Sequence, residues 1–189
     1  MSTPIHSTGV DISRLRLLVL AALLAALTAV CSLLALPNPL VPGVPFTLQV
    51  LAVCLAGMLL PPRWAAASQI VYVLLGAIGL PVFAGGGAGV GVLVSVTGGF
   101  LWGYPFAAAA CAAIAGRGGW ARLVLGGIAA IVVIYAFGFA GMVVFGHVRP
   151  DLASALGLGS FLPWDLAKAV IAAALAVRLR AALRGTVAA

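Results

Sequence analysis

Long apolar runs closed by proline or glycine dominate this chain, and almost nowhere do polar and apolar positions alternate. Six runs, at about 15–36, 44–60, 64–80, 97–115, 121–145 and 161–179, approach the roughly 20 residues, within a range of about 17 to 25, that a helix needs to cross the hydrocarbon layer. The breaks between them carry turn chemistry: Pro37 to Pro45, the pair Pro61 and Pro62, Pro81 with the glycines from Gly85 to Gly91, Gly116 to Gly119, and Gly146 to Gly159. Between the third and fourth runs, 82–96 has an apolar core, 90–96, too short to span. It is expected to form an outer loop or re-entrant lid resting on protein, the loop running over 81–96. The pattern predicts an all-α integral membrane protein: one transmembrane domain over residues 1–189, built as a six-transmembrane-helix bundle without internal repeats.

Composition makes the bilayer the solvent. The 189 residues are 65% apolar and 7% charged, with a mean hydropathy of +1.28, far from the usual balance of a water-soluble domain. A net charge of +7 would suggest nucleic acid on a soluble protein, but here the arginines stand singly between apolar runs, where cytoplasmic loops collect them. With six spans and the N-terminus inside, Arg14, Arg16, Arg63, Arg117, Arg122, Arg178, Arg180 and Arg184 fall on the cytoplasmic side and only Arg149 falls outside. A seventh span at 82–96 would move Arg117, Arg122 and the three C-terminal arginines across. Both termini are therefore expected inside (N-in/C-in), in a multi-pass protein of the cytoplasmic (inner) membrane. Arg14 and Arg16 also resemble the start of a secretory signal. However, the run that follows is about 22 residues long and ends at Pro37-Asn38-Pro39 without a small-x-small cleavage site. It is kept as the first span.

The three outer loops, 37–43, 81–96 and 146–160, are longer and richer in glycine and proline than the inner ones, so function is expected on the outer face. Chemistry is scarce. Cys31, Cys54 and Cys111 each lie inside an apolar run without a partner at metal-ligand spacing. His6 and His147 have no partners nearby in sequence. Asp11, Asp151 and Asp165 are the only acids, and glutamate is absent. The glycines of 85–91 form neither a P-loop nor a complete G-x-G-x-x-G, and no nucleophile motif or acid pair is present. No metal, cofactor or enzymatic activity is expected.

The strongest candidate is Phe161-Leu-Pro-Trp-Asp165-Leu-Ala-Lys168, at the start of the last run. Spacing of three puts Asp165 and Lys168 on one helical face, and a charge at mid-span costs roughly 2.5 to 3.5 kcal/mol on insertion scales. Two readings stand: a ligand site, or an ion pair that fixes packing. Pro163 suits a first helical turn, and Asp165 complements the positive end of the helix dipole. Lys168 gains nothing from the dipole and calls for an anion, either Asp165 or a ligand carboxylate. A second candidate is Val44-Pro-Phe-Thr47-Leu-Gln49, where Pro45 can open a helix and Thr47 and Gln49 offer neutral donors and acceptors to a ligand or to a neighbouring helix. The third runs from Gly79-Leu-Pro-Val-Phe83 to Thr97-Gly-Gly-Phe-Leu-Trp102. Here Phe83, with Trp164, could stack on a flat ligand, while interfacial anchoring alone would account for Trp102 or Tyr104. On the first run Ala21, Ala25 and Ala29 recur every four residues, with Ala22 and Ala26 beside them. Such a stripe allows close helix approach, within the chain or to another protein.

VPFTLQ at 44–49, GLPVFAGG at 79–86, TGGFLWG at 97–103 and FLPWDLAK at 161–168 together resemble the signatures of the BioY family, the biotin-specific substrate-binding (S) components of energy-coupling factor (ECF) transporters. The resemblance spans the membrane region in order and spacing. Val96 and Trp164 depart from it, standing where the family pattern has proline and glycine. The resemblance implies a six-helix bundle that binds biotin, as transported ligand rather than cofactor, on its outer side. It also implies a partnership with a coupling transmembrane protein and two ABC-type ATPases, docked on the alanine face of Ala21, Ala25 and Ala29. Work as a solitary or homo-oligomeric biotin transporter is the alternative. For the ligand it implies Asp165 on the ureido group, Lys168 on the valerate or orienting Asp165, and Thr47 and Gln49 as neutral contacts. Phe46, Phe83 and Trp164 would cover the rings, with Thr97 close by. Membrane lipid completes the expected partners; nucleic acid is not among them.

Overall fold

The structure, a computed structural model, describes residues 12–37, 45–152 and 159–183. Asp11, His6, Arg184 and most of the first outer loop lie outside the described residues. Every named element is helical: α1 (Ile12–Leu33), α2 (Gln49–Leu59), α3 (Pro62–Ala77), a 3-10 turn (Ala84–Gly86), α4 (Val90–Leu93), α5 (Gly98–Ala115), α6 (Trp120–Val144), α7 (Pro150–Leu152) and α8 (Gly159–Ala182). Among the described residues α1, α5 and α6 are long and apolar enough to cross a membrane by themselves. The shorter α2 and α3, of 11 and 16 residues, fall below the roughly 17 that a perpendicular crossing needs.

The main difference from the apolar pattern is at α2, which starts at Gln49 rather than near residue 44. Pro45 does not open it. Instead Phe46 pairs with Leu36 in an antiparallel bridge, each N–H donating to the other's carbonyl at 2.8 and 2.9 Å, so the chain stays extended until Leu48. The helix then runs through the middle of the bundle, buried on almost every side, which is why its sequence shows no polar face. The 81–96 segment is more structured than a plain loop, since it holds the 3-10 turn and α4.

Close backbone approach sets the packing. Gly99 of α5 faces Gly141 of α6 so closely that a Cβ on Gly99 would meet the Gly141 Cα at 2.7 Å and the Phe137 carbonyl oxygen at 2.3 Å. Only glycine fits such a seam, as is usual where dispersion must hold helices together in lipid. Polar side chains join α1 to α3: the Gln69 Nε2 donates to Thr28 Oγ1 at 3.2 Å, with both residues fully buried.

The two ends of the bundle differ. At one end Ser32 donates to the Val82 carbonyl and the Leu48 N–H to Cys31 O. This gathers the C-terminus of α1, the N-terminus of α2 and the 81–96 segment. At the other, the Arg180 guanidinium donates to the carbonyls of Met58, Gly116 and Gly118, tying the ends of α2, α5 and α8. Following the helices from these anchors, Arg14, Arg16, Arg63, Arg117, Arg122 and Arg178 share the Arg180 end, and Arg149 lies at the opposite one.

The alanine stripe divides in an unexpected way. Ala21 and Ala25 are 6% and 1% exposed and belong to the core, and Ala29 packs against it. The residues beside them, Ala22 and Ala26, are exposed. Ala21 and Ala25 therefore serve packing within this chain, and any small-residue surface offered outward is the Ala22 and Ala26 face.

Candidate functional site

A cavity opens at the Ser32–Val82 end, enclosed by the N-termini of α2, α5 and α8, the middle of α6 and the 81–96 segment. Its polar centre is Asp165, on the second turn of α8 and 3% exposed. Oδ1 accepts from Lys168 Nζ at 2.8 Å, and Oδ2 accepts from the Tyr135 hydroxyl of α6 at 2.8 Å. The i,i+3 spacing produces the first contact. The second arises because α6 passes behind α8 with its tyrosine inward. A carboxylate withdrawn from water needs such partners, since an unpaired buried charge is costly.

On the same cavity's wall, Thr47 Oγ1 donates to Gln49 Oε1 at 2.9 Å and Gln49 Nε2 donates to the Tyr72 hydroxyl at 2.6 Å. Gln49 is buried and Thr47 half-buried, and both line the cavity with Thr97, whose hydroxyl meets that of Ser95 at 3.2 Å. The rest of the wall is apolar and aromatic: Phe83, Val92, Phe100, Leu101, Ile134 and Phe161. Few fixed polar groups in an apolar, aromatic enclosure is the usual make-up of a small-molecule site. The arrangement can hold a ligand with an apolar body and separate polar ends. It has no nucleophile–base pair, and among the described residues no group of three or more His, Cys, Asp or Glu could hold a metal ion.

Of the residues singled out from sequence, the structure brings Asp165, Lys168, Thr47, Gln49, Phe83 and Thr97 to this one cavity. Phe46 stands behind the wall, its ring centroid 4.7 Å from that of Phe161. Trp164 is elsewhere. One residue before Asp165 on a helix, it points about 100° away, is 63% exposed, and does not line this cavity.

Sequence reasoning missed the tyrosines. Tyr104, which anchoring at the interface would have explained, is 4% exposed and lines the cavity. Its ring stacks on Tyr72 at 6.4 Å. All three tyrosines of the chain, Tyr72, Tyr104 and Tyr135, lie at or beside the site. The signal was available: each sits within an apolar run, where a phenolic hydroxyl must find an internal partner.

Comparison with known proteins agrees with this architecture. The model of the BioY family matches residues 3–185. The biotin transporter BioY of Thermotoga maritima is 37% identical over 169 residues, covering 88% of this chain and 96% of its own. That of Rhizobium etli is 37% identical over 180 residues, covering 84% and 89%, and a probable biotin transporter BioY of Bacillus subtilis is 34% identical, covering 85% and 89%. A crystal structure of the S-component for biotin from an ECF-type ABC transporter shares the fold, with a TM-score of 0.83 and 21% identity over 92% of this chain and 95% of that one.

Proposed function

The chain belongs to the BioY family of membrane transport proteins, and from that premise we propose that it binds biotin in the cavity around Asp165 and serves its uptake across the cytoplasmic membrane. The observation that supports this most is that a buried carboxylate, held by Lys168 and Tyr135, and a neutral amide at Gln49 line one cavity with an aromatic wall. Biotin offers a ureido group, an apolar bicycle and a valerate carboxylate, and each finds a counterpart. Asp165 accepts from a ureido N–H, Lys168 meets the carboxylate or steadies Asp165, and Gln49 and Thr47 supply neutral contacts beside Thr97. Phe83 and the Phe161–Phe46 pair flank the rings.

The bundle in this reading crosses the membrane six times with both termini inside. The arginine-rich end faces the cytoplasm, in accord with the positive-inside rule, and the cavity opens outward. Uptake is energised by a coupling transmembrane protein and two ABC-type ATPases, for which the exposed Ala22 and Ala26 face of α1 is the proposed contact. Titration of the purified protein with biotin, followed by calorimetry, tests the central claim. Saturable binding with one site per chain supports it, and absence of binding up to millimolar biotin would overturn it. Uptake by cells lacking every coupling protein separates the energised mode from solitary or homo-oligomeric transport.

A further inference from the structure

Between the ligand-facing amide and the Gly-rich segment lies one fully buried residue that the functional reading leaves unused, Tyr72 of α3. On one side its hydroxyl accepts from Gln49 Nε2 at 2.6 Å. On the other, its ring meets the edge of Phe83 with centroids 5.8 Å apart and planes at 83°, and the Ser32 hydroxyl stands beside its own. Those same neighbours seat the segment 82–89. Ser32 donates to the Val82 carbonyl, and the Gly89 N–H donates to Gly76 O at 2.7 Å. The Phe83 ring fills the notch over Gly76, where a Cβ would come within 2.1 Å of it. Gly76 is four residues after Tyr72, hence on the same face of α3.

We propose that Tyr72 is a positioning residue that ties the orientation of the Gln49 amide to the seating of the 82–89 segment. The amide has two faces to satisfy. The Thr47 hydroxyl fixes its oxygen, and among the described residues the Tyr72 hydroxyl fixes its nitrogen. When Phe83 lifts from Gly76, Tyr72 loses its edge contact and the amide loses a rigid acceptor; when a ligand holds Gln49, Tyr72 is held and so is the seat of Phe83. Binding and closure of the segment become one event, carried through packed and hydrogen-bonded neighbours.

The binding arm of the test rests on the biotin reading, and the second arm does not. Biotin affinity is measured for the unaltered protein, Tyr72→Phe, Gln49→Ala and the double variant. Amide hydrogen exchange of a peptide covering 82–89 is followed without ligand in the unaltered protein, Tyr72→Phe and Ser32→Ala. Tyr72→Phe should weaken biotin about tenfold, yet by less than about twofold when Gln49 is already alanine, because the two residues act as a unit. Exchange at 82–89 should rise about fivefold or more in Tyr72→Phe and Ser32→Ala, with α6 unchanged, since only local opening is affected. Additive losses in the double variant, or unaltered exchange at 82–89 in Ser32→Ala and in Tyr72→Phe, would each overturn the proposal. Should the unaltered protein not bind biotin, the functional reading fails and the exchange arm alone decides. Should Tyr72→Phe not fold, exchange in Ser32→Ala decides.

Discussion

Lys168 Nζ lies 2.8 Å from Asp165 Oδ1, both on α8 and with their side chains only 12% and 5% exposed, so each charge has the other as its nearest answer. Breaking a desolvated pair from one side strands the remaining charge, at a cost of roughly 3 to 5 kcal/mol, and a charge-assisted bond to a ligand is worth roughly 1.5 to 3 kcal/mol. Asp165→Asn and Lys168→Met are each expected to weaken biotin binding about tenfold or more and to lower the thermal midpoint. The double variant should lose less stability than the sum, because neighbours that share one interaction are not additive. Unchanged affinity in both single variants would remove the pair from the site. Biotin methyl ester refines the test: if Lys168 holds the valerate, the ester binds the unaltered protein more weakly than biotin does and Lys168→Met indifferently.

Phe83 gives a second prediction. Its ring occupies space that only glycine at position 76 leaves open. Gly76→Ala should force Phe83 out of its seat, at about 1 to 3 kcal/mol for an overpacked core position, and reduce biotin binding. Phe83→Ala removes the obstacle, so adding Gly76→Ala to it should cost nothing further in stability or affinity. A full additional loss in the double variant would place the Gly76 effect elsewhere, for instance in the α3 backbone.

How much of this was written in the chain differs between fold and site. The apolar runs located every long helix to within a few residues except α2, because hydropathy cannot tell a helix from a largely apolar extended segment such as Pro45 to Thr47, where Phe46 is held by the distant Leu36. The Asp165–Lys168 pairing was legible from spacing, being local to one helix. Tyr135 was not, because its hydroxyl meets Asp165 from 30 residues away and only the α6–α8 packing brings them together. For Trp164 and the alanine stripe the limit is a third one. Spacing shows which residues share a helix face but not which face turns inward. Burial of α1 along Ala21, Leu24, Ala25 and Thr28 is settled by α2 and α3, not by α1 itself.

Arg180 is expected to matter for stability and little for binding. Its guanidinium caps the C-terminal ends of α2 and α5 through Met58 and Gly116 and reaches Gly118, where a cation also complements the helix dipoles. Arg180→Ala leaves these carbonyls short of donors and should cost about 1.5 to 3 kcal/mol for each charge-assisted bond not replaced by water, read as a lower unfolding temperature in detergent. Arg180→Lys should recover only part, because a single ammonium cannot reproduce the fork that reaches separate helix ends. Biotin affinity in both folded variants should stay within about twofold of the unaltered protein, since the clamp and the cavity lie at opposite ends of the bundle. A large loss of affinity without a loss of stability would contradict this division.

On α1, neighbouring alanines should respond in opposite ways to the same substitution. Ala25 is 1% exposed and meets the core, so Ala25→Trp is expected to prevent folding or cost several kcal/mol, on the order of the largest overpacking effects. Ala26 and Ala22 are exposed and one turn apart. If this face meets the coupling protein, small side chains are needed there for close helix approach. Ala26→Trp and Ala22→Trp should then leave folding and biotin affinity in detergent unchanged. In cells that also produce the coupling protein and both ATPases, they should reduce biotin uptake. Uptake at the unaltered level in both variants would move the contact to another surface. Loss of uptake that persists equally in cells without the coupling protein would point instead to contacts between copies of this chain.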